Sequence, residues 1–517
     1  MAGESSQISL AAIGPQDAAL LSDKPEDLPF FYDAKPLQHS NFRKFHKNAN
    51  ITNPNSKATW PFGESIKVKF NPTNMGDLLS NMWVSFELPA IANGNYADQI
   101  GRHIFERVTM YVDELEIETV YDDWMVIHDE MFLEPSEKVA NRFLVNRSLA
   151  FDTSELNETN ARHKSELFIP IPFFFSRKYA KDEYSDNEPN RPYFPLAACW
   201  KQKIEFEFVF RPQTFFTDFN GTLSLSQFDI ITEQITLDPL ERMYFMKEEQ
   251  TLVTDIVRRH PTAQTEPKKT ILKTNLVPNV PVKSFFWFFR RNVFEDPKVI
   301  KSESHTNSDP DGEMYIHNRF NFSSNVNFDE LQTFYAPVMD LAKFHLNGSV
   351  LPNSTNTGHV FYKYLQPTMR KLSRPIRNIY TYSFSANPVN VASSGYLDFS
   401  QIQGNKTNIE FTFEPINAAG GDLLDDVYTF HMFYLGYEVF KFNDGKIRYA
   451  TERDLAEKPK AKPEATEIFK SYDRGKTFVL EKKPAETVEA PPTGPRKPRE
   501  PNQVDHFLKS VKRFASM

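Results

Sequence analysis

A chain of 517 residues is longer than one ordinary domain and suits two or three. Its 40% hydrophobic and 25% charged residues, with a net charge of −8, are those of a globular protein, and 47 Phe in a chain that is 14% aromatic argue against an all-helical one. The single cysteine, Cys199, excludes an intramolecular disulfide and a cysteine-rich zinc site.

Met1 to Leu20 lack a basic start and an apolar stretch, so no secretory signal is expected. From Ser65 to Phe70, Ile66, Val68 and Phe70 alternate with Ser65, Lys67 and Lys69, and Met82 to Leu88 alternates in the same way. A period of two places each set on one face of a half-buried strand. Further such runs are Arg107–Val112, Glu166–Phe175, Lys203–Phe210, Leu223–Leu237, Val282–Phe289, Asn378–Phe384, Asn408–Phe413 and Val427–Phe442. Turn-rich stretches such as Asn71-Pro72-Thr73-Asn74 separate them, and helical patterns are few. Asp122-Asp123, between Tyr121 and Trp124, fits a helix start, where acidic groups satisfy free amides and the helix dipole. The pattern is that of β-sandwiches or jelly rolls.

Two segments, Ser136–Pro192 and Asn292–Asp329, read as long polar excursions at the surface of this scaffold. In Val427–Phe442 both alternating faces are apolar: Phe433, Leu435 and Val439 on one, Tyr428, Phe430, Met432, Tyr434 and Phe440 on the other. Such a strand is expected to bury a second face against another barrel or another subunit.

A repeat spans the chain. Ile204-Glu205-Phe206-Glu207-Phe208-Val209-Phe210 is echoed by Ile409-Glu410-Phe411-Thr412-Phe413, each followed by a loop and an aromatic strand, one with Phe228 and one with Phe430. This separation is about one sandwich domain and points to tandem duplication. Asp238-Pro239-Leu240-Glu241-Arg242 marks the joint, with Pro239 placed to open a helix.

Motifs of chemistry are weak. Gly475-Lys476-Thr477 lacks the first glycine of a phosphate loop, since position 470 is Lys470. Asn307, Asp309, Asp311 and Gly312 resemble a calcium loop, but Asn318 stands where the closing carboxylate is needed. His103, His128, His260 and His359 have no ligand spacing, and Cys199, beside Trp200, reads as a buried inert thiol. No catalytic, cofactor or metal residue is expected.

The ordered blocks of the chain resemble the double jelly-roll major capsid proteins of nucleocytoplasmic large DNA viruses, polinton-like viruses and virophages. The blocks are Phe30-Phe31-Tyr32 with His39-Ser40-Asn41-Phe42, Ile104–Val108 with Tyr121–Met125, Phe194–Ala198, and Ile235–Asp238 with Glu241-Arg242. In the second half they are Asn275-Leu276, Pro281-Val282-Lys283 and Trp287, Leu346-Asn347-Gly348, Gln366-Pro367, Ile379–Phe384, and Ser394-Gly395 through Asp398–Ile402. Asp398 stands where the family has Asn, Ser393 where it has Pro, and the His after the Pro-Leu-x-Ala block is absent.

The resemblance implies an all-β fold of two tandem eight-stranded jelly rolls with short helices and a flexible C-terminal tail. The implied divisions are an N-terminal arm (1–27), a first roll (28–240), a second roll (241–450) and the tail (451–517). It implies a non-enzymatic major capsid protein forming pseudo-hexameric homotrimers in an icosahedral double-stranded DNA virus shell. Neighbouring capsomers and minor capsid and vertex proteins would be its partners, the virion its location, and the host cytoplasm its place of assembly. A carbohydrate-binding or carbohydrate-cleaving β-sandwich is the alternative, since aromatic-rich sandwiches with Asn/Asp loops bind sugars and 68 acidic residues could hold a carboxylate pair.

Residues 451–517 hold 15 Lys/Arg against 11 Asp/Glu, a net of +4, so the body is acidic and no specific nucleic-acid binding is expected. Eight of the 36 prolines lie in this tail, which reads as extended. Its end predicts an amphipathic docking helix. Asn502 caps it, Asp505 follows three residues later, and Val504, Phe507, Leu508, Val511 and Phe514 share one face. A helix this short folds only against a partner, such as a minor capsid protein, a neighbouring capsomer or an internal membrane; a solvated tail with accidental spacing is the alternative.

Overall fold

A computed structural model describes residues 42–50, 62–70, 76–91, 96–97, 99–145, 165–179, 192–217, 219, 221–223, 228–237, 239–295, 319–324, 336–352, 357–390, 393–402, 406–413 and 427–450. The N-terminal arm, the Asn307–Gly312 stretch and the tail with Val504, Phe507, Leu508, Val511 and Phe514 lie outside the described residues.

The first half supplies Phe42–Asn50 (β1), Ser65–Phe70 (β2), Leu78–Leu88 (β3), Phe105–Val112 (β4), Leu115–Tyr121 (β5), Ser165–Pro170 (β6), Phe194–Pro195 (β7), Ile204–Phe210 (β8) and Phe228–Thr236 (β9). One sheet runs β1-β9-β3-β6, with β7 added on β3, and the other runs β2-β8-β4-β5. The second half supplies Gln250–Arg259 (β10), Ala263–Gln264 (β11), Ile271–Asn275 (β12), Pro281–Arg291 (β13), Met339–Leu346 (β14), Ser349–Leu351 (β15), Tyr380–Ser383 (β16), Leu397–Asp398 (β17), Thr407–Phe413 (β18), Tyr428–Asn443 (β19) and Lys446–Tyr449 (β20). Its sheets run β10-β19-β13-β16, carrying the short β11, β17 and β20, and β12-β18-β14-β15.

Setting the short additions aside, the two halves have one strand order. In each, the first strand lies beside the last, then the third and the sixth; the second lies beside the seventh, then the fourth and the fifth. That is the order of an eight-stranded jelly roll, with two antiparallel sheets packed face to face. The repeated segments β8 and β18 are interior strands of equivalent sheets.

The alternation read in β2 is realised, with Ile66, Val68 and Phe70 buried and Ser65, Lys67 and Lys69 exposed. On the outer face, Lys67 and Lys69 approach Glu207 and Glu205 of β8 at 3.8 and 3.5 Å. Such exposed pairs contribute about 0–1 kcal/mol each, so the inward Phe206, Phe208 and Phe210 hold the strand.

Strands β13 and β19 are buried on both faces. Phe285, Trp287, Phe289, Phe430 and Met432 pack into the second roll's own core with Phe344, Phe411 and Phe413. Phe286, Phe288, Phe433 and Leu435 point away from it, into the core of the first half. Past Gly436 the expected faces exchange: Phe440 joins the first core and Val439 packs with Val253 and Tyr437. The β13 register shifts between Val282 and Ser284 opposite this point, and twist accumulated over 16 residues carries one face past more than one neighbour.

Among the described residues, helical pieces interrupt the strands at Ile100–His103 (α1), Asp122–Met131 (α2), Pro135–Val145 (α3), Pro239–Lys247 (α4), opened by Pro239, and residues 359–369 (α5), which contain a π-turn at Phe361–Leu365, besides single 3-10 turns. The described parts of the two polar excursions carry structure, including the strand expected within Glu166–Phe175. The first contains α3, strand β6 and the buried Phe173, Phe174 and Phe175. The described part of the second includes Arg319–Phe320–Asn321–Phe322–Ser323–Ser324, all buried. Apolar anchors such as Phe173 and Phe320 draw these described parts into the core, while α3 keeps most of its side chains exposed.

Phe430 is fully buried among Phe289 and Phe411, whose ring centroids lie 5.6 and 4.9 Å away. Phe430→Ala is expected to lower unfolding free energy by about 3–5 kcal/mol in urea titration. A loss below about 1 kcal/mol would contradict this packing.

Candidate functional site: the seam between the two rolls

Helix α2 leaves the end of β5 and lies across the outer face of the second roll's β13-β19 pair. Trp124, in its first turn, is fully buried, its ring 5.6 Å from Phe286 and 6.2 Å from Phe433. Phe132, just past the helix end, is 5.6 Å from Phe286, and Tyr121, just before it, is 5.9 Å from Phe433. Phe322 stacks on Phe288 at 3.9 Å and closes the side of the seam. One continuous apolar core therefore runs from the first roll to the back of the second roll's sheet.

Charges are set into this apolar contact. Asp122 accepts hydrogen bonds from Arg211 at 2.6 Å and from Arg319 at 2.8 Å. Asp123 pairs with Arg290 of β13, which also donates to Glu295 at 3.1 Å and, through Nε, to the Arg319 carbonyl at 2.7 Å. Glu295 in turn lies 2.5 Å from His431 of β19. A second group joins β5 to β10: Glu118 accepts from the amides of Phe174 and Val257 at 2.7 and 2.9 Å and pairs with Arg177. Beside it, Asp255 accepts from Lys283 at 3.2 Å and from the Tyr179 hydroxyl at 3.0 Å. At the far end of α2, Glu130 accepts from Arg377 at 2.5 Å and from the Ile376 amide at 2.7 Å. Most carboxylates that cross the seam come from the first half and most of their cations from the second.

Burial alone would raise the Asp122 carboxyl, but Arg211, Arg319 and Arg290 outweigh it and hold the group well below the usual carboxylate range. Burial also opposes ionisation of Glu295, and Arg290 and His431 overcome it in the same direction. Glu118 goes the other way: its desolvation exceeds the pull of Arg177, and its pKa rises. Burial likewise lowers Lys283 and takes Lys363 down to about 8. These groups are saturated by one another. The arrangement offers rigidity and a unique fit between the rolls rather than an open reacting group.

The helix start predicted at Asp122-Asp123 is present, but the two carboxylates face arginines remote in sequence, which local spacing does not reveal. Cys199 is buried, and burial pushes its thiol up. His103, His128 and His260 are buried and hydrogen-bonded. Among the described residues no cluster of three His, Cys, Asp or Glu side chains could hold a metal ion, and no helix is long and apolar enough to cross a membrane.

Two family models cover the rolls in turn. Residues 38–235 match the major capsid protein N-terminus, and residues 241–446 match the large eukaryotic DNA virus major capsid protein. The chain belongs to the double jelly-roll major capsid proteins of large DNA viruses. Its fold is similar to a crystal structure of PBCV-1 VP54, at 17% identity and a TM-score of 0.59 over 80% of this chain and 97% of that one. It is also similar to the Faustovirus major capsid protein, at 10% identity and a TM-score of 0.51 over 77% and 90% of the two chains. No curated protein matches the sequence. This capsid protein is thus a component of the virion shell, and its copies associate with one another.

Removing one member of a buried ion pair strands the other. Arg290→Met in the capsid protein is expected to cost about 3–5 kcal/mol, while Asp123→Leu combined with Arg290→Met recovers most of it. Additive losses in a double-mutant cycle would contradict a coupled pair.

Acid should loosen the protein in two stages. Burial lowers the pKa of His128, His260 and His431, so the folded chain favours their neutral forms. Unfolded histidine titrates near about pH 6.5, so stability present above that value is lost as pH falls through it towards the lowered folded values. The depressed Asp122 and Glu295 add a loss only below about pH 4, where unfolded carboxylates protonate. Melting temperature should begin to fall as pH drops below about 6.5 and fall again below about pH 4; a flat profile down to about pH 4 would count against neutral buried histidines.

Proposed function

We propose that this protein is the repeating block of an icosahedral double-stranded DNA virus shell, acting as a homotrimer whose three copies set six rolls in a near-hexagonal ring. The observation that carries this is the pairing of two rolls of one strand order, held as a single block by the buried seam. A trimer of such blocks has sixfold-like edges and tiles a flat facet with repeated contacts. Residues 28–240 and 241–450 are the two structural units, 1–27 an arm and 451–517 a tether. The protein works by assembly and not by catalysis. The carboxylates buried at the seam are closed off by arginines and leave no open pair for glycoside cleavage.

Assembly takes place inside the host cell, in the cytoplasm, and neighbouring capsomers and minor capsid and vertex proteins are its partners. The tail face of Val504, Phe507, Leu508, Val511 and Phe514 supplies an inward contact to a minor protein or an internal membrane.

Light scattering on the purified chain should return three times 59.9 kDa; a stable monomer with glycan affinity would overturn the trimer and favour a sugar-binding role. Truncation after Pro501 should leave trimers intact and impair assembly of complete particles. Normal particles with a full set of minor components would remove the tail from this role.

A further inference from the structure

Lys363 and Asn378 are buried against each other in the second half of the chain, an amine against an amide. Lys363 lies in the π-turn of α5, where it and its neighbour Tyr362 both turn inward. The Tyr362 hydroxyl donates to the Ala342 carbonyl at 2.7 Å. Lys363 Nζ donates to Asn378 Oδ1 at 2.6 Å and to the Ile376 carbonyl at 3.2 Å. Both members of the pair are 1% exposed.

Each is fixed from behind. Asn378 Nδ2 donates to the Ala336 carbonyl at 2.9 Å, so the amide oxygen faces the lysine. The preceding residues Ile376 and Arg377 donate to Glu130 of α2 at 2.7 and 2.5 Å, and Arg377 Nε donates to the Phe320 carbonyl at 3.0 Å. The amide carbon lies one C=O bond, about 1.2 Å, beyond the oxygen that Nζ already touches, so a side-chain rotation brings the amine onto it.

Burial also prepares the nucleophile. Desolvation takes Lys363 down to about 8, against the pull of Glu130 and with the push of Arg374, so an unprotonated amine is accessible near neutral pH. Shielding from water keeps hydrolysis from competing for the amide.

We propose that Lys363 and Asn378 join in an intramolecular isopeptide bond, formed by the folded chain without a cofactor. The neutral Nζ attacks the side-chain carbon of Asn378 and forms the new C–N bond. The bond from that carbon to Nδ2 breaks, and one Nζ proton passes to the departing nitrogen. Ammonia leaves and takes up, as ammonium, the proton that the lysine first gave up. Nothing is oxidised or reduced. The cross-link closes the loop between α5 and β16 and fastens α5 covalently to the start of that strand.

Mass spectrometry of the full-length chain tests it. The intact chain should fall short of its sequence mass by one ammonia. Trypsin should leave Lys363 uncut and give a branched peptide joining residues 344–370 to residues 378–406. The bond should form faster above about pH 8 than below it. Lys363→Arg keeps a cation and its hydrogen-bond donors but lacks the attacking amine, so it should show its full mass and a folded circular dichroism spectrum. A digest of the unaltered chain holding only linear peptides cut at Lys363 would overturn the proposal, whether or not the variant folds. Loss of ammonia that persists in Lys363→Arg, with no branched peptide in the unaltered chain, would also overturn it by assigning the loss to ring closure of an asparagine on its own backbone.

Discussion

Everything distinctive in this molecule depends on the sheet β10-β19-β13-β16 having no free face. An antiparallel sheet ordinarily gives one side to its core and the other to water. Here Trp287, Phe289 and Phe430 fill one side and Phe286, Phe288 and Phe433 fill the other. The second set would be an aggregation hazard in an isolated roll. Covered by Trp124, Phe132 and Phe322, it instead ties two rolls into one body.

The ionic seam adds selectivity to this apolar contact. Apolar surfaces tolerate sliding, because burial is not directional. Asp122 held between Arg211 and Arg319, and Asp123 against Arg290, are satisfied in one registration and stranded in others. Desolvation makes such groups poor sources of net stability but strong penalties against misfit. For a shell protein, whose errors would propagate through every repeated contact, fixing the angle between rolls matters more than additional stability.

Much of the fold was legible because its strands obey simple alternation. In β2, β8 and β18 every second residue is buried, as the pattern demanded, and the echo of Ile204–Phe210 in Ile409–Phe413 pointed to the duplication. Strands β10 and β12 were less legible. Val253 and Asp255 of β10 are buried along with Leu252 and Thr254, so burial there has no period of two; β12 alternates, but its apolar Ile271 is exposed while Thr274 is half-buried, so residue type does not follow the faces. The seam was half legible: both apolar faces of Val427–Phe442 announced a second contact. Its charged partners were not, since Asp123 and Arg290 are 167 residues apart and only the folded chain brings them together.

Duplication also explains why the two rolls have diverged at equivalent positions. The first roll's α2 is buried with nearly every side chain, because its receiving surface is always present in the same chain. The second roll's α5 is covered on one side alone, leaving Val360, Leu365 and Met369 exposed beside the exposed Thr368. A contact buried during folding can carry large aromatics and desolvated ion pairs, whereas a helix face left in water is restricted to smaller apolar patches set among polar groups. The asymmetry between two rolls of one topology thus follows from what each helical connection meets in its own chain: for α2 the back of the second roll's sheet, for the outer side of α5 water.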